Sequence, residues 1–154
     1  MKTLDIEIAL AQYFNPRTNL MIPNVHWGFS IHECDMLVMS AAGYLSEVEI
    51  KVSLSDLKKD KKKEHGHEDD RIKCFYFAMP KKLLKHSDLV PERAGILSVD
   101  YSPTPGHYKI FLERGAVINK KAPKMRIGEM YELARLGALR IWTLKRKIKK
   151  LQEE

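Results

Sequence analysis

A mixed α/β sandwich is the fold class the sequence predicts, on three observations. Apolar residues alternate at a period of two through the second half of Tyr44–Val52 (YLSEVEIKV), the pattern of a strand. Arg71–Met79 (RIKCFYFAM) is almost continuously apolar, as expected of a strand buried on both faces. Residues 125–151 place Ile127, Met130, Leu133, Leu144, Ile148 and Leu151 at helical spacing and predict a long amphipathic helix.

The remaining elements follow in chain order. Residues 3–14 read as a helix with Thr3 as N-cap, and Asn15-Pro16-Arg17 stops it because proline disfavours continuation. Residues 19–27 and 31–39 are strand-like, and Pro23 makes the first an edge or irregular strand. Ser40–Gly43 is a turn into the YLSEVEIKV strand. Ser53 and Asp56, at capping-box spacing, open a helix that runs into Lys58–Lys63 and ends in a polar loop, His65–Asp70. A short helix at 81–86, a strand at 94–100, a Pro/Gly turn at 102–106 and a strand at 108–112 complete the order. No internal repeat or interdomain linker is visible, so residues 1–154 are expected to form a single domain, with a core over about 3–112 and a terminal helix over about 125–151.

Composition narrows the function classes. Hydrophobic residues at 44% and charged residues at 31% match a globular chain rather than a disordered one. The sequence has no run of 18 apolar residues, which argues against a membrane-spanning helix, and its first residues lack the pattern of a signal peptide. Two cysteines, Cys34 and Cys74, cannot build a disulfide framework, and a cytoplasmic location is expected. A net charge of +7 suits a polyanionic partner, since neutralising phosphates supplies most sequence-independent affinity for nucleic acid.

The YLSEVEIKV strand carries the chemistry. Alternation sends Val48, Ile50 and Val52 to one face and Glu47, Glu49 and Lys51 to the other. Asp35 stands beside the apolar run Met36–Met39 on the preceding strand, and a hairpin between the two strands would bring Asp35 and Glu49 together. Two carboxylates can hold Mg²⁺ or Mn²⁺ with retained waters, and the main-chain carbonyl of Ile50 offers a further ligand. Lys51 could position the attacking water and stabilise a pentavalent phosphate. Glu7 falls within the apolar arc of the first helix, where it would be either an auxiliary acid facing the metal or an arc-edge residue reaching solvent.

Asp35 followed by Glu49-Ile50-Lys51 resembles the D…(D/E)-x-K motif of the PD-(D/E)xK superfamily, with Cys34 standing where the motif has proline. More closely, Glu49–Ser53 with Asp56, then Cys74–Pro80 and Gly95–Asp100, resembles the MmcB-like DNA-repair proteins and related phage proteins. The resemblance covers roughly residues 3–100. It implies a restriction-endonuclease-like three-layer sandwich, with a mixed central sheet flanked by helices. It also implies a divalent-metal-dependent deoxyribonuclease with Asp35, Glu49 and Lys51 in the catalytic core and an acid on the first helix, here Glu7, assisting.

Each feature has a plainer reading. Glu47, Glu49 and Lys51 could form the solvated face of an antiparallel strand. His65 and His67 match no strong zinc spacing, so a solvated loop is expected there. Lys61, Lys62 and Lys63 could contact DNA phosphates or simply solubilise the chain. Arg140, Lys145 and Arg146, in a cluster with Lys147, Lys149 and Lys150, exceed what a helix C-terminus needs and suit a phosphate-binding arm. The apolar stripe of the same helix could instead mediate homodimerisation. Against the nuclease therefore stand a catalytically inactive DNA-binding module on the same fold and a helix-mediated protein-interaction module.

Overall fold

A computed structural model of the chain describes residues 1–26, 28–60 and 69–153. The elements are α1 (Thr3–Phe14), β1 (Leu20–Val25), β2 (Cys34–Met39), β3 (Leu45–Ile50), α2 (Leu54–Asp60), β4 (Ile72–Pro80), a 3-10 segment (Lys81–Leu89), β5 (Gly95–Tyr101), β6 (Tyr108–Arg114) and α3 (Ile127–Glu153). Every expected helix and strand is present, with shifted ends. One start is corrected: Thr3 lies inside α1 and Lys2 takes the cap position, where Asp5 reaches back to accept the Lys2 backbone N–H at 2.6 Å. The expected strand 31–39 begins only at Cys34, and what precedes it bears on the site below.

The six strands lie in sequence order, β1 to β6, in one mixed sheet. β1, β2 and β3 form an antiparallel meander, and β6 returns antiparallel to β5. β3, β4 and β5 run parallel, because α2 and the 3-10 segment carry the chain back between them. Pro23 sits on β1 at the sheet edge, where a missing ladder donor is tolerated. The β2–β3 turn closes with Gly43 N–H donating to the Ser40 carbonyl at 2.8 Å. Gly43 has φ of +84°, a conformation that disfavours any side chain, and an added Cβ would lie 2.9 Å from Met130 of α3.

Both faces of the sheet are covered, giving three layers. Ile6, Ala9 and Leu10 of α1 close one face over Met36, Val38, Val48, Ile50, Ala78 and Leu97. Leu57 of α2, Leu83 of the 3-10 segment and Leu133 and Leu136 of α3 close the other over Leu37, Leu45, Phe75, Phe77 and Ile96. Beyond Arg140, α3 is exposed along its length, with Ile141, Trp142, Leu144, Ile148 and Leu151 among its surface side chains. No helix among the described residues is long and apolar enough to cross a membrane.

Candidate active site

The β2–β3 register builds the site. Met36 pairs with Val48 and Leu37 with Glu47, so continuing the ladder by one residue sets Asp35 across from Glu49. Asp35 shares the face of Leu37, and Glu47 and Glu49 share it too, because paired residues of neighbouring strands point the same way. The Asp35 carboxylate then turns along the sheet and accepts the backbone N–H of Ile50 at 2.7 Å. A side chain takes over where the β2 ladder stops. On the other side Lys51 N–H donates to the Ala78 carbonyl at 2.9 Å, which fixes the backbone just past β3.

Lys51 folds back over the same face. Its ammonium lies 2.6 Å from Glu49 Oε2 and 5.6 Å from the centre of the Phe77 ring. Asp35, Glu49, Ile50 and Lys51, expected to act together, are thus grouped at one end of the β2–β3 pair. The solvated-face reading of the strand is overturned: Glu47, Glu49 and Lys51 are only 0%, 1% and 4% exposed. Burying carboxylates is costly unless they are paired, and each has a partner, Lys51 for Glu49 and His32 for Glu47. His32 Nε2 lies 2.8 Å from Glu47 Oε2.

Two carboxylates on adjacent strands and a main-chain carbonyl are oxygen donors of the kind a hard divalent cation takes, with several waters retained. Among the described residues no group of three or more His, Cys, Asp and Glu side chains is placed to hold a metal ion. Asp35, Glu49 and the Ile50 carbonyl are the groups that could hold an ion, with water completing its shell.

Glu7 is set apart from this group. α1 packs on the opposite face of the sheet, under which Val48 and Ile50 point, and Glu7 Oε1 accepts from Asn24 Nδ2 at 3.3 Å beside β1. Glu7 lines a groove there with Leu4, Arg140 and Lys147. The structure does not bring it to the acids of β3. Arg140, expected on a phosphate-binding arm, is half-buried and donates to the Asn24 carbonyl. Lys145 and Arg146 are exposed on α3, with the Lys145 ammonium 5.2 Å from the Trp142 ring. Lys61, Lys62, Lys63, His65 and His67 lie outside the described residues.

Sequence reasoning missed His32. It read Ile31–Met39 as one strand, whereas residues 28–33 leave the ladder. Gly28, Ser30, His32 and Glu33 break the apolar run and were the available signal.

A family model, DNA repair protein MmcB-like, matches residues 2–148. The chain belongs to the MmcB-like family of DNA repair proteins. The match extends the relationship across α3, which the motif resemblance had left unassigned. A solved protein of unknown function from Silicibacter pomeroyi is similar in fold, with a TM-score of 0.64 over 97% of this chain and 92% of that one at 14% identity. A comparison with the curated proteins gives no match. Family membership gives this chain a place in DNA repair.

Proposed function

We propose that this protein is a nuclease-like DNA repair enzyme of PD-(D/E)xK type that hydrolyses DNA phosphodiesters with Mg²⁺ or Mn²⁺. The observation that carries this is the grouping of Asp35, Glu49 and Lys51 on one buried sheet face, with Asp35 on the Ile50 N–H and Lys51 on Glu49. Asp35, Glu49 and the Ile50 carbonyl would hold the ion. When bound, it would stabilise charge on the phosphate and lower the pKa of the attacking water.

The chain's own groups supply the rest. Glu49 fixes the Lys51 ammonium within 2.6 Å of its own carboxylate, so the cation stays on the face where negative charge would develop. The Asp35–Ile50 bond holds the first carboxylate against β3. Lys145 and Arg146 would bind the DNA backbone without reading sequence, with Arg140 anchoring that helix to β1. Lys61, Lys62 and Lys63 would add phosphate contacts by their charge.

A catalytically inactive DNA-binding module is the second reading. It is favoured by the near-complete burial of Glu49 and Lys51 and by their tight pairing. Incubation with single-stranded, duplex and branched DNA in Mg²⁺, Mn²⁺ or EDTA separates the two. The enzyme reading expects metal-dependent cutting that Asp35→Asn and Lys51→Ala both abolish. Salt-sensitive binding without cutting in any metal would instead establish the binding module.

A further inference from the structure

β1 and β2 pair out to Val25 and Cys34, so a short hairpin turn could join them. The chain spends residues 26–33 on that connection instead, and Gly28–Glu33 lies against the sheet. Phe29 and Ile31 pack on the cluster that contains Leu37, Phe75 and Leu136. The Arg71 guanidinium donates to the Ser30 carbonyl and to Ser30 Oγ, and stands 5.2 Å from the Phe29 ring. His32 meets Glu47 of β3. The connection therefore passes over β2, reaches β3, and is fastened to the residue just before β4.

The face it crosses is the one that bears Glu47 and Glu49. In this conformation neither carboxylate is open to a molecule as large as a phosphodiester. Gly28 begins the crossing at φ of +82°, a conformation that disfavours any side chain. Beside the crossing, toward the first turns of α3, lies a cavity of about 520 Å³ lined by Phe29, Ser30, Arg126, Glu129 and Glu132.

We propose that Gly28–Glu33 is a strap that closes the Asp35–Glu49–Lys51 site, and that the His32–Glu47 bond is its latch. Lifting the strap admits the phosphodiester; its purpose rests on the nuclease reading, while its motion does not. A hydrogen bond to a buried charged group shifts an opening equilibrium by about ten- to a hundredfold.

Cys34 is a native reporter, buried at the strap's end in the same apolar cluster as Phe29 and Ile31. The test measures its alkylation by iodoacetamide in a Cys74→Ser background, at urea concentrations below the unfolding transition. The strap predicts a labelling rate nearly independent of urea, because local opening exposes little surface. His32→Ala raises that rate by about ten- to a hundredfold, the worth of the lost bond. Labelling that tracks global unfolding, or an unchanged rate in a folded His32→Ala protein, overturns the proposal. Should His32→Ala not fold, the urea dependence of the Cys74→Ser protein alone decides. Local opening in a protein that cuts no DNA would defeat the nuclease reading and leave the strap standing.

Discussion

Under α1 the middle of the sheet is closed by apolar side chains, with Ile6, Ala9 and Leu10 packed on Val48 and Ile50 of β3. On the other face of the same strand, Glu47 and Glu49 are buried just as deeply and are held by His32 and Lys51. One strand thus presents two interiors built on different physics. Packed apolar surface stabilises a fold directly, at about 25 cal/mol for each Å² removed from water. A buried ion pair loses most of its Coulombic gain to desolvation and is weak evidence for stability. The first face holds the protein together. The second keeps charge in place at little net stabilisation.

The largest effect should come from breaking a pair on the charged face. Lys51→Met removes the ammonium from Glu49 and is expected to cost about 3–5 kcal/mol, the usual penalty for splitting a buried ion pair. Glu49→Leu combined with Lys51→Met removes both charges and should recover wild-type stability or exceed it. Urea unfolding of the two proteins measures this, and a double variant as unstable as the single would erase the contrast between the faces. Neither should cut DNA.

Leu10→Ala probes the apolar face and comes next in size. Leu10 is fully buried, and truncation to alanine should cost about 2–5 kcal/mol. No second substitution on the charged face should rescue it. DNA cutting per folded molecule should stay at the wild-type level, because α1 lies across the sheet from the acids. A loss of cutting in a folded Leu10→Ala protein would mean that the two faces are coupled.

Much of this contrast was legible in the sequence. Strand alternation put Glu49 and Lys51 on one face, and Pro23 correctly marked β1 as an edge. The order of the strands put Asp35 on the neighbouring strand. What stayed hidden was that the charged face is buried. Apolar and charged residues alternating in VEIKV look the same whether the charges meet water or a second core. A clue did exist in RIKCFYFAM: a neighbour apolar on both faces implies cover on both faces, and β4 pairs directly with β3. The course of residues 28–33 was less legible: their polar residues break the apolar run, but they do not say where the chain goes. Only tertiary contacts, with Arg71 forty residues away in the chain and with Glu47, pull it out of the ladder. Glu7 is the opposite case: helical periodicity left it either inward-facing or at the arc's edge, and could not say which face of the sheet α1 would cover.

The smallest expected effect concerns the strap's second fastening and depends on pH. The Arg71 guanidinium, hydrogen-bonded to Asp69, holds that carboxyl below its ordinary value against the opposing effect of partial burial, with His32 adding a smaller attraction. A carboxyl whose folded pKa is lowered binds protons less readily in the folded state than in the unfolded one. Its stabilisation is therefore complete above the unfolded value, about 3.9, and is lost as the pH falls through the lower folded value. Wild-type and Asp69→Asn proteins should differ in urea midpoint by a constant amount from neutral pH down to about 5, and the difference should shrink as acid protonates Asp69. The deficit of Leu10→Ala relative to wild type should show no such trend, since no charge is involved. If the Asp69→Asn difference instead grew in acid, the Asp69–Arg71 pair could not be the anchor of the strap. The charged face would then owe its closure to packing by Phe29 and Ile31, as the face under α1 owes its own to Leu10.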